Sequence, residues 1–267
     1  MKEKDNKGFW DRWAKRYDFA MSGDGRTYAQ IVSRMKKVLN KDMAVLELAC
    51  GTGLLSVRLA GSVKLLEATD FSEEMIRQAK AKAHSSRLHF SVQDATNLPY
   101  TPGTFDAVVI SNALHIMPEP EKALAEIRRV LKPGGILIAP TFTAAGSLSG
   151  RMRIRIMELS GFKVFHKWTP KEYLDFLKGN GFTVIDRAIY GGALALTYAE
   201  AKVRERSGKE WRFEAEKISR RLSESNLYPF KTEGSAWCRH CRRTEGFASY
   251  RFRGIEGAGG RRIYFRG

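Results

Sequence analysis

Two acids and a pair of glycines are the residues of this sequence best placed to do chemistry. Val45-Leu46-Glu47-Leu48-Ala49-Cys50-Gly51-Thr52-Gly53 reads as a short apolar strand that ends on an acid and runs into a glycine-rich turn, with a helix following from Leu54. A strand, a tight turn and a helix N-terminus make a site for an anionic or nucleotide-like ligand. Gly51 and Gly53 remove the side chains that would keep such a ligand from the backbone. Asp70 follows the next apolar segment, in Ala68-Thr69-Asp70-Phe71-Ser72, where an acid at a strand tip accepts both hydroxyls of a ribose. The dinucleotide pattern G-x-G-x-x-G fails here because Leu54-Leu55-Ser56 brings no third glycine. The P-loop pattern fails because no Gly-Lys-Ser/Thr follows.

The elements that must position these residues alternate along the chain. Residues 7–20 place Phe9, Trp13, Ala14 and Tyr17 on one helical face, and 28–39 read as a second helix. Strands are expected at 43–48, 64–69, 88–93, 106–111 and 136–139. Helices are expected at 53–60, at 72–83 with Ser72 as N-cap, and at 119–131, the last stopped by Lys132-Pro133-Gly134-Gly135. This alternation predicts an α/β fold with a mostly parallel sheet wound on both sides. Residues 141–168 interrupt the rhythm. Thr169-Pro170-Lys171-Glu172 then opens a helix with a capping box, and two strands at 182–189 and 193–200 read as an antiparallel hairpin.

The chain resembles the class I S-adenosylmethionine-dependent methyltransferases, in the type 11 branch that includes enzymes of ubiquinone and menaquinone biosynthesis. Six segments in order carry the resemblance: Phe9 to Asp18, Glu47 to Gly53, Thr69 to Met75, Gln93-Asp94-Ala95, Phe105 to Val109, and Glu126 to Gly135. Glu47 to Gly53 fits the family's E/D-x-G-x-G-x-G turn with Ala49 at the first glycine. The resemblance implies a Rossmann-like, seven-stranded sheet and S-adenosyl-L-methionine as cofactor. It implies that Glu47, Ala49, Gly51 and Gly53 surround the methionine part, Asp70 the ribose, and Phe71 and Met75 the adenine. Asp94 would accept from the adenine amino group beside Ala95. Ser111 and Asn112 would stand where cofactor and acceptor meet, and Tyr17 would close over the site. His115 is the candidate general base by its place after the fourth strand.

Organisation and partners follow as expectations. Residues 1–40 form a helical cap, 41–202 the cofactor-binding domain with 141–168 as a substrate lid, and 203–267 a basic tail. The lid offers Phe162, Phe165, His166 and Trp168 to an apolar or aromatic acceptor, with Arg151, Arg153 and Arg155 on a basic side. A small-molecule or lipid-like acceptor is the leading reading. The net charge of +17 permits nucleic acid as an alternative, and residues 203–267 hold 16 Lys/Arg against 8 Asp/Glu. Trp237, Phe247, Tyr250, Phe252, Tyr264 and Phe265 could stack on bases in an RNA methyltransferase. Against that, Ser111-Asn112-Ala113-Leu114 lacks the Asn/Asp-Pro-Pro-aromatic motif of many base-amine methyltransferases. A nicotinamide oxidoreductase and a non-catalytic cofactor-binding module stay open. A helix is expected at 210–223. Cys238-Arg239-His240-Cys241 is half a zinc site at most, so no metal is expected. Three cysteines, no apolar run of membrane-spanning length and no signal-like h-region predict a cytoplasmic setting.

Overall fold

The computed structural model of the protein describes residues 7–21, 25–143, 155, 158, 162–191 and 195–204. The Gly/Ser-rich turn at 144–150, Arg151 and Arg153, the helix expected at 210–223, the Cys238–Cys241 segment and the tail aromatics lie outside them.

Eight strands and six α-helices can be followed among the described residues. The order is α1 (Lys7–Met21), α2 (Gly25–Val38), β1 (Ala44–Leu48), α3 (Ser56–Leu59), β2 (Leu65–Asp70), α4 (Glu73–Lys80), β3 (Leu88–Val92), β4 (Phe105–Ile110), α5 (Pro120–Val130), β5 (Leu131–Ile138), β6 (Thr141–Thr143), α6 (Pro170–Gly179), β7 (Phe182–Tyr190) and β8 (Ala195–Val203). The sheet order is β3-β2-β1-β4-β5-β8-β6, with β7 also on β8. Strands β1 to β5 pair in parallel, and β8 runs antiparallel to β5, β6 and β7. Ile138 faces Glu200 and Thr141 faces Thr197, so β5 and β6 keep one register along β8. They are one strand broken at Ala139-Pro140, because proline has no N–H for the ladder. The eight strands thus make a sheet of seven runs.

The central strands β1 and β4 are buried on both faces, which is why they read as nearly continuous hydrophobic runs. Val45, Leu66, Ala107 and Val109 pack with Ile31 and Met35 of α2, Leu59 of α3 and Ile76 of α4. Leu46, Leu48, Val108 and Ile110 pack with Leu124 and Ile127 of α5 and Leu174 and Leu177 of α6. Each of the larger side chains among them contributes roughly 1.5–3 kcal/mol on burial. The N-caps act as their residue types require. Ser72 Oγ accepts from Met75 N at 3.1 Å, and Thr169 and Glu172 form the reciprocal box that opens α6. Tyr173 of α6 then donates its hydroxyl to the Ala139 carbonyl at 2.6 Å, at the strand break.

Two elements differ from the sequence reading. The helix expected at 53–60 shrinks to Ser56–Leu59, because Gly51 and Gly53 take φ of 56° and 79°, outside the helical region. Lys132-Pro133-Gly134-Gly135 does not separate helix from strand; it lies inside β5, where the register with β4 shifts between Phe105 and Ala107. Asp106 holds that irregularity, accepting from Ala44 N at 2.9 Å and from Lys132 Nζ at 2.8 Å. A Cβ at Gly135 would meet Lys132 O at 2.9 Å and Asp106 O at 3.1 Å. Gly135→Ala should therefore cost about 1–3 kcal/mol, as overpacking does, read as a lowered urea midpoint. Gly103→Ala, with open space around the Cβ but a φ of 67°, reports the cost of backbone strain alone.

Candidate functional site

Parallel pairing sets Leu48 beside both Thr69 and Ile110, so the carboxyl ends of β1, β2 and β4 finish together. A cavity of about 290 Å³ opens there, in the crevice where open α/β sheets place their ligands. The turn after β1 is built from its own hydrogen bonds. Cys50 N donates to Thr69 O at 2.9 Å, Gly51 N to Asp70 Oδ2 at 2.8 Å and Gly53 N to Cys50 O at 3.0 Å. Those amides are spent inside the protein. The anion cradle expected from the glycines is therefore not what this turn provides. Gly53 is required for packing instead, since a Cβ there would lie 2.9 Å from Phe90 Cζ. Ala49 has φ 51°, a left-handed conformation that costs a non-glycine residue roughly 1–2 kcal/mol. Cys50 is buried, and burial first, then the charge of Glu47, raises its thiol well above the usual range.

Acids dominate the cavity. Asp70, Asp94 and Glu119 lie on its wall, with Lys7 the only basic side chain there among the described residues. Asp70 Oδ1 accepts from Ser72 N at 2.9 Å, and Asp94 Oδ1 accepts from Thr96 N at 2.8 Å and Thr96 Oγ1 at 2.7 Å. Burial raises the Asp70 carboxyl, with the Ser72 and Gly51 amides opposing it. Glu47 stands behind the wall, 2% exposed, with Oε2 buried and without a hydrogen-bond partner. Burial, helped by the Asp70 charge and opposed by Ser56, pushes its carboxyl up to about 7. Spent amides and clustered carboxylates disfavour a pyrophosphate and favour a ligand carrying positive charge. A sulfonium and an ammonium on a nucleoside meet that requirement, so the residues present fit S-adenosylmethionine.

Helix α1 covers the cavity. Trp10 and Tyr17, two turns apart on one face, both line it and meet edge to face at 5.8 Å. Ser72 Oγ donates to Asp11 Oδ1 at 2.5 Å, and Thr52 Oγ1 and Lys82 Nζ both donate to the Asp18 carboxylate. Lys82 also donates to Thr52 O at 3.0 Å. Polar bonds from both ends of α1 thus fasten it to the turns after β1 and β2.

The expected cofactor residues gather on one wall. Tyr17, Ala49, Gly51, Asp70 and Phe71 line the cavity, as do Met75, Asp94, Ala95, Ser111 and Asn112; Glu47 and Gly53 lie just behind it. His115 does not reach it. Its ring is 7% exposed, with Nδ1 2.9 Å from Thr141 Oγ1 and its plane edge-on to Phe142. Burial first, then His166, lowers its pKa to about 4, which makes it a poor base at neutral pH. The aromatics expected to bind the acceptor also stand off the wall. Phe162 packs behind Trp10 and Phe9 at 5.4 and 5.3 Å. His166 stacks on Trp168 at 4.7 Å and Trp168 on Phe176 at 4.5 Å, toward α6, while Phe165 is exposed. Phe165 N and His166 N both donate to the His115 carbonyl, so this segment braces the loop after β4. The wall residues not singled out from the sequence include Lys7, Trp10, Ile116, Met117 and Glu119. The seven-residue spacing from Trp10 to Tyr17 was the available signal for Trp10.

Residues 46–139 match the family model for a methyltransferase domain. An uncharacterised chloroplastic methyltransferase of Arabidopsis thaliana is 31% identical over 66% of this chain and 52% of its own length. A demethylmenaquinone methyltransferase of Clavibacter sepedonicus is 44% identical over 37% of this chain and 41% of its own. The chain spans about half or less of the length of these relatives. A SAM-dependent methyltransferase of Thermotoga maritima shares the fold at a TM-score of 0.58 and 22% identity, over 72% of this chain and 98% of that one. The DhpI–SAH complex does so at 0.58 and 21%, over 75% and 96%. The glycine turn, Asp70 at the tip of β2 and strands β2 to β5 all fall within residues 46–139. Through residues 46–139, the chain is similar to the methyltransferase domains of class I S-adenosylmethionine-dependent enzymes.

Proposed function

We propose that this protein transfers the methyl group of S-adenosylmethionine to a small, aromatic or lipid-like acceptor of quinone type. The acid-lined cavity at the carboxyl ends of β1, β2 and β4 carries the reading. The relatives named as demethylmenaquinone methyltransferases support the acceptor class. On this reading residues 1–40 cap a cofactor-binding domain at 41–202, and the tail from 203 is an appendage.

S-adenosylmethionine supplies a methyl group already activated by its sulfonium, so the chain's own task is to hold, orient and keep dry. Asp70 takes the ribose, Glu47 faces the positive end from behind the wall, and Asp94 with Ala95 takes the adenine edge. Phe71 and Met75 sandwich the base; Phe71, 41% exposed, forms its outer side. Trp10 and Tyr17 close the cavity from α1 and exclude water. Ala113, Ile116 and Met117 give the adjoining wall an apolar character that suits a quinone ring or chain. His115 stays neutral and braces the loop rather than moving a proton.

The function is tested by incubating the protein with methyl-labelled cofactor, a reduced quinone lacking its ring methyl, and total RNA. Label in the organic phase is the expected result; label in RNA, or in neither, overturns the reading. Asp70→Ala should weaken S-adenosylhomocysteine binding by at least about tenfold, since hydrogen bonds to charged groups are worth roughly 1.5–3 kcal/mol. Unchanged affinity in calorimetry would remove Asp70 from the site.

Glu47 adds a pH signature. Its folded carboxyl, at about 7, lies above the ordinary 4.5, so the ligand-free protein holds an extra proton between these values. That stability contribution is lost as pH rises from about 5 to beyond 7. Cationic S-adenosylmethionine favours the ionised form, so its affinity should rise from pH 6 to pH 8 by up to about tenfold, with proton release. Glu47→Gln should flatten the profile and abolish the buffer dependence of the binding enthalpy.

A further inference from the structure

Among the described residues no helix forms between β3 and β4, so the backbone of residues 93–104 has to find its hydrogen bonds elsewhere. The first part of this loop lines the cavity, with Gln93, Asp94, Ala95 and Thr96 on the wall. Gln93 N donates to Asp70 O at 3.1 Å and Asn97 N to Asp94 O at 3.1 Å, while the Thr96 amide and hydroxyl both donate to Asp94 Oδ1. The second part is held by α5. Leu98 N donates to Glu126 Oε2 at 2.8 Å, and Arg129 donates from Nη2 to Leu98 O at 2.9 Å and from Nη1 to Tyr100 O at 2.6 Å. Gly103 N and Thr104 N then donate to the Arg129 and Val130 carbonyls, at the end of α5 where helical partners run out. Glu126 and Arg129 are also fixed on each other, with Nε 2.8 Å from Oε1 and Nη2 2.6 Å from Oε2, a two-pronged geometry that a guanidinium offers and an ammonium does not. One pair of side chains thus takes both backbone groups of Leu98, as a neighbouring strand would. The Leu98 side chain is buried in the apolar cluster against which Ala95 packs. Only Ala95, Thr96 and Asn97 separate this clamp from Asp94, and Asn97 is bonded back to it.

We propose that Glu126 and Arg129 are positioning residues for the purine end of the cofactor: by clamping Leu98 they set where Asp94 stands on the cavity wall, and with it the preference for a base that carries an amino group. The inference deepens the reading of Asp94 as the acceptor for the adenine amino group and rests on it. Neither Glu126 nor Arg129 is on the cavity wall, so both act through the loop. The selectivity of the site for its base is then set from α5, outside the cavity.

Two ligands separate this role from a merely structural one. S-adenosylhomocysteine presents a 6-amino donor, and S-inosylhomocysteine presents a 6-oxo group in the same place, which a carboxylate repels. Calorimetry on the full chain should show the wild type preferring the first by about tenfold or more, and Asp94→Ala should bring the two affinities within about twofold of each other. Arg129→Met keeps the length of the side chain and removes the fork. It should lower the preference at least about threefold, with smaller losses in Arg129→Lys and Glu126→Gln, which keep the charge or the shape. Should Arg129→Met fail to fold, those two variants carry the same comparison. Binding of neither ligand to the wild type would overturn the cofactor reading and this inference with it. No preference in the wild type, or a preference that survives Asp94→Ala, would remove Asp94 from the base and end the inference while the cofactor reading stands. A preference lost in Asp94→Ala but kept within about twofold in the Arg129 and Glu126 variants, or equal weakening of both ligands in those variants, would overturn the inference alone.

Discussion

The carboxylate of Asp70 accepts from Gly51 N after β1 and from Ser72 N after β2, and the site is arranged around that double bond. It ties two neighbouring turns together, so the glycine turn has a shape before any ligand arrives. Ser72 extends the tie: its amide serves Asp70, its hydroxyl caps α4 and reaches Asp11 of α1. One side chain therefore fixes the floor of the cavity and, through its neighbour, the lid. The burial that raises the Asp70 carboxyl is the cost of this arrangement, and the two amides offset it.

Charge also decides between the ligands that a glycine turn could take. Had the amides of Cys50, Gly51 and Gly53 pointed outward, the same sequence would read as a phosphate site. They are bonded to Thr69, Asp70 and Cys50 instead. What remains to face a ligand is the negative end of several side chains, with Glu47 poised behind them. The chain's overall charge of +17 gives no hint of this, since net charge describes the surface and not one crevice.

The sequence made the order of elements and most of the cofactor wall legible, because both are written in local signals. Ser72 and Thr169 are caps, Gly51 and Asp70 lie in register at successive strand ends, and two-faced burial leaves apolar runs in β1 and β4. What was not legible depended on contacts distant in sequence. Nothing local says that the KPGG segment would be held inside β5 by Asp106, or that Pro140 would split one strand into two. His115 looked like a base because it follows β4. Its partner, Thr141, is 26 residues away and holds it inside the fold. Phe162 to Trp168 looked like a substrate wall because the segment follows the fifth strand, but α1 and α6 take up the surfaces of Phe162 and Trp168.

The fastening of α1 bears on how the cavity is reached. Asp11 and Asp18 bond to Ser72, Thr52 and Lys82, so the helix that closes the cavity hangs from the turns that form its floor. Opening the cavity by moving α1 therefore breaks these bonds as well. Amide hydrogen exchange along α1 would consequently keep time with ligand exchange, and a bound ligand would slow both together.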